Sequence, residues 1–435
     1  METRETRDLV EQKKIPFDQE PIYRQKTRSE QQKVVASSSF ALKFVVFMLS
    51  ALSVVSIVLI GVLFNRTKSY SQISGKYATK YVPHEVVSHG GITDTAVNVA
   101  LRSSVMIEAH DRESTSDGHE YGAGAGVIVS DINDEVVIAT NYHVCLDVYR
   151  KSKIADYIYV LLFDYVNVDN SMSFYESRRI RCTYVGGSYN EDVAVIKFTR
   201  TGHAEDLYSA SGAMPATIGD SSKVAYGDDV IVIGNPSGKG TSVTIGAVSR
   251  PVAWSKVDVN SDGVYETLRC IQVDAAVNGG NSGGGLFDAG GNWIGNVESK
   301  LSSLENTNFA LPSNQVYGVV WNIIQNEGKL KVVDLVSVET LSSVSESDSG
   351  AITYVFDAVA LENSNGIKTG DVLEEMIYTH PEKGNIRVDL HAPHALQENL
   401  LYLVAGDTIT IKLKRNGEII PVEITIAIRN ISVRN

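Results

Sequence analysis

The feature that most limits the fold is a succession of short β-prone segments between residues 103 and 325. "GAGVIVSD", "EVVIATN", "IYVLLFDYV", "RIRCTYVGG" and "DVAVIKF" come first; "DDVIVIGNPSG", "TSVTIGAVS", "CIQVDAAV" and "NWIGNVESK" follow. Many short strands separated by turn residues predict an all-β barrel or sandwich architecture. Just upstream, "TDTAVNVALRSS" predicts a helix capped by Thr93 or Asp94. Downstream, "SVETLSSVSESDSG" (337–350) reads as a flexible loop. A smaller strand-rich unit of about 100 residues follows it, carrying "ITYVFDAVA", "DTITIKLKRNG" and "VEITIAI".

Residues 44–64, "FVVFMLSALSVVSIVLIGVLF", contain no charge. As a helix they span about 31 Å, the thickness of a hydrocarbon core. The run is too long and starts too far from Met1 for a cleaved signal peptide, so it reads as a single transmembrane anchor. Lys and Arg flank both ends, and the positive-inside rule gives only a slight preference for an inside N-terminus. Residues 1–43 read as a disordered cytoplasmic tail, and residues 65–92 as a tether.

The chain carries a formal net charge of −13. Residues 1–43 hold nine Lys/Arg against seven Asp/Glu, and the residues after 64 hold 30 against 45. An acidic ectodomain lacks the basic footprint of a nucleic-acid surface. Three cysteines, Cys145, Cys182 and Cys270, are too few for a disulfide scaffold. A bridge between Cys145 and Cys182 and a role as small buried hydrophobes both stay open. Neither the cysteines nor His391 and His394 form a metal-ligand pattern, and no cofactor is expected. "DVNSDGVYETLR" (258–269) partly mimics a calcium loop, but Arg269 stands where a bidentate Glu belongs, so a hairpin turn is the better reading.

"NGGNSGGGLF" (278–287) packs five glycines around Ser282. Glycine loses more entropy on folding than any other residue, so the run implies a tight turn or a close approach. Two upstream segments supply what a nucleophilic serine needs. "VVIATNYHVC" places His143 just past an apolar strand, and "YNEDVAVIKF" places Asp192 at the entrance of another. A serine hydroxyl needs a base for its proton, and the base needs a carboxylate to fix its tautomer.

"TNYHV", "DVAVIKF", "GNP" and "QVDAAVNGGNSGGGL" together resemble the HtrA branch of the chymotrypsin-like serine proteases. The last unit, with "NGIKTGDVLEEM" and "LVAGDTITIKLKRNG", is similar to the later strands of a PDZ domain. The resemblance implies a mainly β chain: a chymotrypsin-like double β-barrel over residues 93–328, a PDZ-like α+β domain over 329–435, and one N-terminal transmembrane helix. It implies His143, Asp192 and Ser282 as the catalytic residues, with the backbone amides of Gly280 and Ser282 as the oxyanion hole. Ala276 would sit at the base of the primary specificity pocket and Glu298 in its wall, giving cleavage after small or medium aliphatic residues.

The implied protein is a serine endopeptidase acting on unfolded or damaged polypeptides, held at the cell membrane with its catalytic domain extracytoplasmic. A homotrimer is implied as well. The competing reading is a catalytically silent scaffold that binds polypeptides. Two features depart from the family. Gly285 stands where many members have Pro or Ala, implying a more mobile loop. "KLKVVDLVSVETL" lacks the glycine-containing loop that usually receives a peptide carboxylate.

Overall fold

In a computed structural model, the described residues are 91–112, 122–150, 152–163, 177–236, 240–300, 306–346, 352–392 and 394–434. The expected anchor, tail and most of the tether lie outside them. Among the described residues, no helix is long and apolar enough to cross a membrane.

The first helix, α1 (Asp94–Ser103), starts where Thr93 adopts an extended backbone and its hydroxyl accepts the amide of Ala96. Six strands follow: β1 (Ser104–His110), β2 (Gly122–Ile132), β3 (Glu135–Thr140), β4 (Tyr157–Leu162), β5 (Ile180–Ser188) and β6 (Val193–Thr199). They close into a barrel in the order β1-β2-β3-β6-β5-β4, every pairing antiparallel. Inward-facing Ile107, Ile138, Val160 and Ile196 are fully buried and fill it.

After a short helix, α2 (His203–Ser211), a second set of six strands repeats the architecture. It comprises β7 (Asp229–Gly234), β8 (Ser242–Val257), β9 (Glu266–Val273), β10 (Gly285–Asp288), β11 (Trp293–Lys300) and β12 (Asn308–Pro312). Their order, β10-β11-β12-β9-β8-β7, is again closed. Val230, Ile271, Leu286 and Ile294 fill this barrel, while Phe287, Trp293, Val127 and Val195 pack between the two. This is the chymotrypsin-like double barrel. The calcium-like segment is the β8–β9 hairpin turn. Its Asp258 carboxylate accepts the amides of Asp262 and Gly263, which satisfies a turn locally.

Helix α3 (Ser313–Gln325) leaves the second barrel with Val316, Val319, Val320 and Ile323 buried on one face. The chain then crosses the first barrel at Gly328, which has φ +90°. A Cβ on Gly186 of β5 would run into the backbone of Gly328, so the two glycines permit this crossing.

The remaining strands are β13 (Leu330–Val333), β14 (Val338–Glu346), β15 (Ile352–Ala360), β16 (Val372–His380), β17 (Gly384–Asp389), β18 (Thr408–Arg415), β19 (Glu418–Thr425) and β20 (Ile431–Arg434). Strands β14-β15-β16-β18-β19 form one sheet in that order, with β17 on β16 and, among the described residues, one α-helix, α4 (Ala395–Leu400). The expected loop at 337–350 is in its larger part the strand β14, paired along its length with β15. Leu373, Met376, Ile411 and Leu413 form a core of their own. His391 and His394 are not simply exposed. The ring of His391 sits between Asp357 and Glu374, 2.9 Å from each, and His394 meets Trp254 of β8 edge-on.

Candidate active site

His143 opens a 3₁₀ turn (His143–Cys145) directly after β3. Asp192 ends the turn between β5 and β6, where its amide donates to the carbonyl of Tyr189, 3.2 Å away. That turn needs a left-handed residue, and Asp192 has φ +48°, a conformation Asp tolerates better than most side chains. The two turns are tied together. The Asp192 carboxylate accepts the ring Nδ1 of His143 at 2.7 Å and the His143 amide at 3.0 Å. Asn141, fully buried, donates its side-chain amide to the Asp192 carbonyl at 2.9 Å. Asn141 lies inside the "TNYHV" motif, but its task is legible only once the second turn is in place.

Asp192 is fully buried and His143 is partly exposed. Burial works against the imidazolium. The charge and hydrogen bond of Asp192, with the charge of Glu298 added, outweigh it and hold the His143 pKa above its ordinary value. The donor on Nδ1 facing a carboxylate is the arrangement that leaves Nε2 toward the cleft.

Ser282 sits in the β9–β10 connection of the second barrel. The loop is pinned by hydrogen bonds from the Asn281 amide to the Asn278 carbonyl, the Gly284 amide to the Asn281 carbonyl, and the Gly283 amide to the Val297 carbonyl of β11. The Ala125 amide of β2 donates to the Ser282 carbonyl at 2.9 Å, joining the loop to the first barrel. Gly283 has φ +79°, and a Cβ there would collide with the Ala125 carbonyl and the Thr140 hydroxyl. The glycine run therefore answers both to a turn and to a close approach. We expect Gly283→Ala to abolish active-site labelling at Ser282, read by mass spectrometry on protein that remains soluble; labelling at the original rate would contradict this account of the loop.

Gly280 has φ +96°, and its carbonyl accepts the Asn235 amide at 3.2 Å. Among the described residues, neither the Gly280 nor the Ser282 amide donates to a protein acceptor. The Ser282 hydroxyl donates to the backbone carbonyl of Glu298 at 3.0 Å.

Other expected site residues fall in different surroundings. Ala276 is exposed, and its carbonyl accepts the Thr244 hydroxyl. Glu298 does not stand in an open pocket wall: it is 1% exposed, and His143, Asp192 and Glu298 each offer a ligand-type atom within 4.8 Å of the others. Such a trio has the chemistry to approach a cation, but the short Nδ1–carboxylate contact is that of a proton-sharing pair. The reason for the inward turn is a register shift between Val297 and Ser299, which makes Glu298 the bulged residue of β11. Gly285 does not loosen the loop either. It is the first residue of β10, paired with Ile233 and Asn296, and a Cβ there would meet the Phe287 ring. All three cysteines are free and buried, so the Cys145–Cys182 bridge is absent.

Residues 124–295 match the model of the trypsin-like peptidase domain family. The matched stretch takes in His143, Asp192 and Ser282. A "Serine protease HtrA-like" protein of Staphylococcus aureus is 28% identical over 301 residues, 64% of this chain and 35% of that protein. The "Serine protease Do-like HtrA" of Lactococcus lactis is also 28% identical, over 63% of this chain and 65% of its own length. The chain thus spans about a third of the staphylococcal relative. Among solved structures, the "HtrA-type protease AlgW with tripeptide" is 23% identical and covers 78% of this chain and 97% of its own, with a TM-score of 0.46.

Proposed function

We propose that the chain is a membrane-anchored, HtrA-like serine endopeptidase that hydrolyses unfolded or damaged polypeptides through His143, Asp192 and Ser282. The observation that carries this reading is the hydrogen-bonded His143–Asp192 pair, within 4.8 Å of the Glu298 carboxylate, with the Ser282 hydroxyl on the carbonyl of the same Glu298. The Ser282 hydroxyl attacks the scissile carbonyl and forms an acyl-enzyme. His143 takes the hydroxyl proton and returns it to the leaving amine, while Asp192 holds the ring and stabilises the imidazolium. The Gly280 and Ser282 amides receive the developing oxyanion, each worth about 3–4 kcal/mol of barrier. Water then releases the acyl group.

Residues 44–64 supply the anchor in this reading and place the barrels outside the cytoplasm. Residues 329–435 act as a PDZ-like unit, and the assembly in this reading is a homotrimer. At rest the Ser282 hydroxyl donates to the carbonyl of Glu298, and the reaction requires it to turn to His143.

A fluorophosphonate probe tests the proposal directly. We expect the full chain to be labelled on Ser282 and to digest casein, and Ser282→Ala to do neither. Equal casein loss in wild type and Ser282→Ala would remove the peptidase reading. Casein binding without hydrolysis in both would favour the silent scaffold.

A further inference from the structure

We propose that Glu298 is a positioning residue that holds His143 in its proton-bearing form at rest, and so sets the pH at which Ser282 becomes a nucleophile. The inference rests on the reading of His143 and Ser282 just given. A trypsin-like centre needs one carboxylate behind its histidine, and Asp192 fills that place with both oxygens. Glu298 brings a second carboxylate into the same space, 1% exposed and within 4.8 Å of the other two groups. Two carboxylates so close repel each other strongly where solvent is excluded, and a cation among them relieves the repulsion. The charge of Glu298 adds to that of Asp192 in raising the His143 pKa, so the protonated ring is the cation this pair favours.

Among the described residues, the other titratable groups around the pair are thiols and phenols. Cys145 and Tyr142 flank the histidine in its own turn, Tyr189 opens the turn that Asp192 ends, and Cys270 of β9 faces Glu298 and Asp192. Burial pushes each of these thiols and phenols up, so all are neutral near pH 7. Asp192 and Glu298 are therefore the charges that His143 answers to.

The serine follows from this. A proton-bearing Nε2 accepts no hydrogen bond, so the Ser282 hydroxyl must donate elsewhere. It donates to the carbonyl of Glu298 itself. One residue thus acts on both partners, its carboxylate on the base and its carbonyl on the nucleophile. The bulge in β11 is what lets its two ends point into the same centre. Raising the pH removes the imidazole proton, frees Nε2 to accept, and draws the hydroxyl away from the carbonyl. The resting centre is quiet in acid and rises with alkalinity.

The test compares wild type with Glu298→Gln, which keeps the size, and Glu298→Thr, which keeps a polar group but shortens it. In the full chain, phosphonylation of Ser282 is timed at about pH 6 and about pH 9. In a Ser282→Ala background, carbethoxylation of His143 by diethyl pyrocarbonate, which reacts with the neutral ring, is timed at about pH 6 and about pH 8 and read by mass spectrometry. We expect the acid-to-alkaline rate ratio to rise about threefold or more in both assays for both variants, since tenfold corresponds to one pH unit. A carbethoxylation ratio unchanged in Gln and Thr variants overturns the proposal, whatever Ser282 does. A ratio that moves, with no phosphonylation at any pH, supports the coupling of Glu298 to His143 and removes the peptidase reading instead.

Discussion

We expect Asp192→Asn to lower casein hydrolysis about 10⁴-fold and to leave the fold in place. The carboxylate uses one oxygen for the His143 amide and the other for Nδ1. Asparagine has one acceptor to offer and must turn an NH₂ group toward the other partner. If the amide oxygen keeps the backbone N–H, the NH₂ faces Nδ1 and drives the ring proton to Nε2. That tautomer cannot take the Ser282 proton, and the imidazolium loses its counter-charge. The fold should survive for two reasons. Asn is among the residues that tolerate φ near +48°, and Asn141 bonds to the Asp192 carbonyl rather than to its side chain. Circular dichroism reports the fold and casein digestion the rate. A loss below about tenfold would mean that hydrolysis does not pass through this pair.

Arg269→Met costs about 3–5 kcal/mol of stability, read as a lower urea midpoint. Arg269 of β9 and Glu398 of α4 form an ion pair between the second barrel and the C-terminal unit, and each residue is 5% exposed. Burial pushes the Glu398 carboxyl above its usual range, and the Arg269 charge and hydrogen bond pull it back only in part. Methionine fills the arginine's space but leaves that carboxyl buried without its cation. Replacing both, as Arg269→Met with Glu398→Leu, removes the uncompensated charge and should recover most of the loss. Additive losses in the double variant would show that the two residues do not stabilise each other.

Much of the double barrel is legible in the strand spacing, because β-branched runs bounded by turns leave few alternatives. The sequence also carries the order His143, Asp192, Ser282, since each lies at a strand end inside its own motif. Their approach is another matter: it depends on β3 pairing with β6 and on the packing of the two barrels against each other, and no local pattern encodes either. Glu298 escaped for a sharper reason. Reading a strand relies on one face being exposed, and β11 is buried on both from Trp293 to Glu298, with Val297 in the second barrel's core and Glu298 beside His143 and Asp192. Gly285 looked like loop because glycine carries no strand signal, although β10 begins there. His391 meets carboxylates 17 and 34 residues away, and Arg269 meets one 129 residues away. Contacts at such separations leave no trace in spacing or composition.

The pairing of β13 with β20 has a practical meaning for anyone handling this protein. The C-terminal unit is zipped shut by its own first and last strands, so neither can peel off without releasing the other. Arg434, on that last strand, also reaches Glu191, the neighbour of Asp192. Trimming the final strand, or fusing a bulky tag against it, therefore disturbs a segment next door to the cleft, and a variant made that way should not be used as an unmodified reference.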